Sequence, residues 1–129
     1  MLIVLDNSSP VPLYKQIVEQ IRAKILKGEL QPGEPLPSIR QLASDLLTSV
    51  ITTKRAYQEL EAEGLIQTRP GLGTFVAEIK EASLEEIRLK EVEARLRDIV
   101  RDSARLGIGA TTLRSILDKV IEAEGLMDE

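Results

Sequence analysis

Residues 38–76, SIRQLASDLLTSVITTKRAYQELEAEGLIQTRPGLGTFV, decide the fold. Ser38 and Gln41 fit a capping box, S-x-x-Q, in which each side chain satisfies an orphan backbone N–H of the first helical turn. Ile39, Leu42, Ala43 and Leu46 then form a buried side, and Arg40 points away from it at the helix start. Ser49 is a second N-cap; the helix it opens runs through Glu63, turns Thr53, Ala56, Tyr57 and Leu60 inward, and stops at Gly64. Residues 66–68 and 74–76 read as two short strands around a turn, Arg69-Pro70-Gly71-Leu72-Gly73. A helix, a tight turn, a second helix and a flexible basic hairpin predict a winged helix-turn-helix, with one helix set in a DNA major groove and a loop beside it.

Working outward, residues 1–11 form a short arm, and Pro12 fits the first turn of a helix, where its missing N–H is no loss. Leu13, Ile17, Ile21 and Ile25 recur every fourth residue, with Val18 and Leu30 beside the stripe, so an amphipathic helix runs to Gly28. Residues 29–37, ELQPGEPLP, read as a loop. Past Ala77 the pattern changes. Ser83 and Glu86 suggest another capping box, followed by Leu84, Ile87, Val92, Leu96, Ile99 and Val100 in a stripe ending near Leu106 and Gly107. A last helix is expected from about Thr111 to Glu124, with Leu113, Ile116, Leu117, Val120 and Ile121 on one side. Neither helix has a sheet to pack on, and their apolar stripes bury more against a second copy of the chain. The expected architecture is mainly α with a small β-hairpin: an N-terminal winged helix-turn-helix over residues 1–77, followed by two C-terminal helices over 78–129.

Composition narrows the function. The 129 residues contain no Cys and no His, which removes disulfides, thiolate metal sites and the commonest general base. The core is aliphatic, since Tyr14, Tyr57 and Phe75 are the only aromatics. No apolar run approaches the ~20 residues of a membrane span, so a soluble cytoplasmic protein is expected. The net charge of −4 looks wrong for a DNA binder, but it is unevenly spread. Residues 12–76 hold eight basic and seven acidic residues, a net of +1, whereas residues 77–129 hold nine basic and thirteen acidic, a net of −4. Screening over ~8 Å at physiological salt makes a distant acidic tail weigh little at a DNA face.

Each candidate has a plainer reading. Val50, Ile51, Thr52, Lys54 and Arg55 are the exposed positions of the second helix. They are either a solvated surface or a reader, with short side chains for base edges and thymine methyls and cations for guanine or phosphate. The adjacent aliphatics Val50 and Ile51 favour the reader, because exposed β-branched pairs gain nothing on a plain surface. The N–H groups at Ser49–Ile51 offer a phosphate seat. Arg40 is a cation at a helix N-terminus, mildly unfavourable there by ~0.3–1 kcal/mol, which hints at a use elsewhere. Arg69 on a Gly-rich turn suits a narrow, negative minor groove, and Gly71 and Gly73 allow close backbone approach. RPGLG is no phosphate-binding loop, since it lacks G-x-x-x-x-G-K-[ST]. The acids at 78, 81, 85 and 86 complement a helix dipole better than they build a metal site. No nucleophile stands beside a base, so no enzyme, metal or cofactor is expected. A competing reading is a winged-helix protein-interaction module without specific DNA binding, favoured by the low basicity and opposed by Arg40, Lys54 and Arg69.

Residues 11–76 resemble the DNA-binding domain of the GntR family of bacterial transcription regulators. The resemblance is carried by G-x-L-x-P-G-x-x-L-P-S-x-R-x-L-A from Gly28, R-A-Y-x-x-L-E-x-E-G-L-I from Arg55, and G-x-G-T-F-V from Gly71. The short helical remainder is similar to the YtrA branch, whose members dimerise through two C-terminal helices. The resemblance implies a repressor that binds an inverted-repeat operator in double-stranded DNA as a homodimer. Taken together, the candidate DNA-binding residues are Ser38, Arg40, Ser49, Val50, Ile51, Thr52, Lys54, Arg55, Arg69, Pro70 and Gly71. The candidate dimerisation residues are Ile87, Val92, Leu96, Ile99, Val100, Leu113, Ile116, Leu117 and Val120. A small-molecule effector, if one exists, has no signature in the pattern. Two positions depart from the family: Leu47 stands where Gly is usual, and Val50 where Arg is frequent. A Leu at positive φ costs ~1 kcal/mol or more, so a rearranged turn is expected at Leu47.

Overall fold

A computed structural model describes all residues, 1–129. In chain order the elements are α1 (Leu13–Leu26), β1 (Pro35–Leu36), α2 (Ile39–Leu46), α3 (Val50–Ala62), β2 (Ile66–Arg69), β3 (Gly73–Val76), α4 (Glu81–Arg105) and α5 (Ala110–Glu124). The chain divides into two compact units, residues 1–85 and residues 86–129.

In the first unit α3 packs on α1 and α2. The fourfold stripe of α1 supplies Ile17, Val18, Ile21 and Ile25; α2 adds Leu42 and Ala43; α3 adds Ala56, Tyr57 and Leu60; Leu65, Ile66 and Val76 close the far side. Thr53, fully buried, keeps its hydroxyl satisfied by donating to the Ser49 carbonyl at 3.2 Å. Tyr57 donates to the Pro37 carbonyl at 2.7 Å, and burial pushes its phenol above the ordinary value. That bond ties α3 to the segment leading into α2.

The sheet has three antiparallel strands in the order β1-β3-β2. The hairpin matches its sequence pattern, but residues 35 and 36 add a third strand where the Pro/Gly-rich pattern predicts a plain loop, Pro35 opposite Phe75 and Leu36 opposite Thr74. Pro35 is tolerated because β1 is an edge strand, where a missing N–H breaks no ladder.

The arm is tied down by two glutamines one turn apart on α1. Gln20 accepts from the Val4 N–H at 3.0 Å and donates to its carbonyl at 2.8 Å. Gln16 accepts from the Asp6 N–H at 2.8 Å and donates to the Asp6 and Val11 carbonyls, each at 2.9 Å. Each side-chain amide imitates a strand neighbour, and Ile3 is buried beneath the strap.

The second unit is built differently. Gly107, at positive φ, separates α4 from α5. Its only buried residue is Ser103, whose hydroxyl donates to the Ile99 carbonyl at 2.8 Å. The α4 start differs from expectation: the helix begins at Glu81, and the Ser83 and Leu84 N–H groups both bond the Lys80 carbonyl, so Ser83 lies inside the first turn rather than at the cap. No helix is long and apolar enough to cross a membrane.

Candidate nucleic-acid interface

Two serine caps fix where the candidate residues stand. Ser38 takes an extended conformation, and its Oγ accepts from the Gln41 N–H at 3.1 Å. The reciprocal half of the capping box is absent, because the Gln41 amide donates to Asp45 at 2.7 Å instead. Asp45 is thereby occupied, and Arg40, exposed in the first turn of α2, has no hydrogen bond or ion pair of its own. Its guanidinium is available to an external anion.

Ser49 caps α3 through the Thr52 N–H at 3.0 Å, and its hydroxyl also meets Thr52 Oγ1 at 2.8 Å. With these two side chains locked together, the first turn of α3 presents Val50, 43% exposed, and Ile51, 81% exposed. Lys54 is exposed one turn on. Arg55 is exposed too, but its guanidinium stacks over the Tyr14 ring at 3.8 Å and donates to the Tyr14 hydroxyl at 3.2 Å. An Arg held in this way braces α3 against α1. The sequence gives no local sign of this contact, because the two residues lie 41 positions apart.

The turn between α2 and α3 is not rearranged. Leu47 adopts φ 53° and ψ 43°, the left-handed conformation, and is 95% exposed. Its N–H bonds the Ser44 carbonyl at 3.2 Å, and the Thr48 N–H bonds the Ala43 carbonyl at 3.0 Å. Terminal carbonyls of α2 are satisfied this way, which offsets part of the strain.

In the wing, Arg69 pairs with Gly73 at the end of the ladder, and the Leu72 N–H closes the turn on the Arg69 carbonyl at 2.9 Å. Gly71 takes φ 77° with open space around it, so the tip around Pro70 and Gly71 is free to approach a partner. The Arg69 guanidinium lies 4.9 Å from the Phe75 ring centroid. Thr68 donates its N–H to Glu61 at 3.2 Å, which fixes β2 to the end of α3. Leu72, 74% exposed beside these residues, is an apolar wing-tip side chain that no sequence pattern singles out.

Of the apolar candidates in the second unit, Val92, Leu96, Ile99, Val100, Ile116, Leu117 and Val120 are 40–56% exposed, while Ile87 and Leu113 are half-buried.

The sequence pattern described as "Bacterial regulatory proteins, gntR family" matches residues 13–76. The HTH-type transcriptional repressor YtrA of Bacillus subtilis (strain 168) is 33% identical over 119 residues, which cover 92% of each chain. A GntR family transcriptional regulator from Listeria monocytogenes superposes with a TM-score of 0.75 at 30% identity, covering 89% of this chain and 98% of that one. The AraR DNA-binding domain, solved in complex with an operator, matches with a TM-score of 0.53 at 28% identity over 60% of this chain and 96% of its own. The winged helix-turn-helix and the near full-length match to YtrA agree: this chain belongs to the GntR family of bacterial regulatory proteins.

Proposed function

We propose that the chain is a transcriptional repressor that binds an inverted-repeat operator as a homodimer in the cytoplasm. The observation that carries the reading is that the winged domain leaves exposed a partner-free Arg40, the first turn of α3, Lys54 and a Gly-rich wing bearing Arg69. Each has a distinct task. The first turn of α3 reads base edges in the major groove, and the Ser49–Ile51 amides with Arg40 and Lys54 hold phosphates. The wing carries Arg69 to the neighbouring groove. Ser38 and Ser49 contribute as caps that set the helix starts. Arg55 supports the reader from behind, so its part is to orient α3. The operator complex of AraR and the repressor name of YtrA support the same assignment.

Dimerisation is inferred from the second unit. Residues 86–129 bury no apolar side chain, and a 44-residue segment without a core is not stable by itself. On α4, exposed Leu89, Val92, Leu96 and Ile99 repeat at alternating spacings of three and four, the seam of a helix pair. Residues 1–77 thus serve DNA and residues 78–129 serve assembly. Two-fold symmetry then requires a two-fold operator.

Fluorescence anisotropy with the chain's own upstream DNA, titrated with salt, tests the reading. Specific binding that weakens steeply, with a log–log slope near −0.9 per phosphate contacted, is expected. Affinity no better than for random duplex overturns it and leaves the winged domain as a protein-interaction module.

A further inference from the structure

The first turn of α3 has unusual chemistry for a reader of DNA. Guanine is most often read by a guanidinium or ammonium at its O6 and N7. Here Arg55 is committed to Tyr14, and Lys54 stands beyond the first turn. The hydroxyls are partly committed as well: Ser49 and Thr52 are bonded to each other, and the Ser49 Oγ also accepts from the Thr52 N–H. If Ser49 donates, one hydroxyl hydrogen, on Thr52, remains for an outside acceptor. What is left is the branched methyl surface of Val50 and Ile51, which the fold does not use for its core. β-Branched side chains have one strongly preferred χ1 in a helix, so these methyls are held in place before any partner arrives.

A methyl-bearing surface beside one hydroxyl donor matches a single base edge in the major groove. Thymine alone among the four bases combines a 5-methyl group with an O4 acceptor there. We propose that each operator half-site presents thymines to the first turn of α3, and that Val50 and Ile51 read them through their 5-methyl groups. The inference rests on the DNA-binding reading above and adds the base it selects. Ile51, the more exposed of the pair, carries the larger share.

The test replaces each thymine of the bound half-site, one at a time, by deoxyuridine, which removes only the methyl, and measures binding of the full-length protein by anisotropy. Replacement at one or two positions is expected to weaken binding roughly fourfold per methyl, the value of one buried methyl group. Ile51→Ala and Val50→Ala are expected to bind the thymine operator more weakly and to lose the response to deoxyuridine at their own position. This double-mutant cycle separates a direct contact from a general change in duplex shape. Both variants keep their fold because neither side chain belongs to the core, and circular dichroism checks that. Specific binding that is indifferent to every thymine-to-uracil change overturns the proposal while leaving the repressor reading intact. The same holds if wild type and both variants respond equally. Absence of any specific binding removes both, and the random-duplex control identifies that case.

Discussion

Replacing Leu47 separates backbone strain from side-chain packing at the turn between α2 and α3. Leu47 lies at φ 53° and ψ 43°, where a residue with a Cβ is disfavoured by about 1–2 kcal/mol. Its side chain is 95% exposed, so truncating it removes almost no buried area. Leu47→Gly releases the strain but loosens the unfolded chain, which takes back about 0.4–1 kcal/mol. The balance is a gain of between about 0 and 1.5 kcal/mol. For a unit of 85 residues each kcal/mol moves Tm by about 4–8 °C, so a rise of about 3–6 °C is the central expectation. Leu47→Asn should do nearly as well, because Asn tolerates the left-handed region at a smaller entropic cost. Leu47→Ala keeps the strain and deletes only the exposed chain, so its Tm should stay within about a degree. Thermal melts followed by circular dichroism, at one matched protein concentration, read all three. A clear loss of Tm in the Ala variant would refute the exposure argument by showing that the side chain packs. A clear loss in the Gly variant would refute the left-handed turn itself.

Three further variants probe the other parts. Arg40→Ala should weaken operator binding roughly ten- to a hundredfold, as for a lost charged hydrogen bond, and reduce the salt slope by about 1; unchanged affinity removes Arg40 from the interface. Leu96→Glu and Ile99→Glu should give monomers in sedimentation velocity, and an intact dimer would move the interface off α4. Tyr57→Phe leaves the Pro37 carbonyl without its donor and should lower stability by about 1 kcal/mol. Because burial raises the Tyr57 pKa, the folded state keeps the proton while the unfolded chain releases it above the ordinary value near 10. That contribution is complete below pH 10 and declines as pH rises beyond it, and the Phe variant should lack this alkaline slope. An identical slope in both proteins counts against the buried phenol.

Local signals were the readable part. The two serine caps, the stripe of α1 and the glycines of the wing each act within a few residues, and each stands where the pattern predicts. Features made by distant partners were not readable. β1 is two residues without periodicity, and it is a strand only because Phe75 and Thr74 lie alongside. Arg55 carries the same charge as Lys54 one position away, and both are exposed; only the fold reveals that Arg55 is held on the Tyr14 ring of α1. Gln16 and Gln20 look like ordinary polar positions of an amphipathic helix until the arm is laid across them. Leu47 departs from the family pattern, yet the turn keeps the left-handed conformation, in which the Leu47 and Thr48 N–H groups satisfy terminal carbonyls of α2. At Ser83 a valid capping pattern lost to two further helical residues upstream.

The glutamine strap also sets an order of events. Gln16 and Gln20 face the arm together only while the first turns of α1 are wound, since four residues bring two side chains to one side of a helix and to no shared side of a coil. Arm docking must therefore follow helix formation, and undocking must accompany fraying. The Val4 and Asp6 amides, each donated to a glutamine side chain, should exchange with solvent deuterium at the pace of that local opening rather than of global unfolding. They form a built-in gauge of how firmly α1 is closed at the end where Tyr14 holds the guanidinium of Arg55.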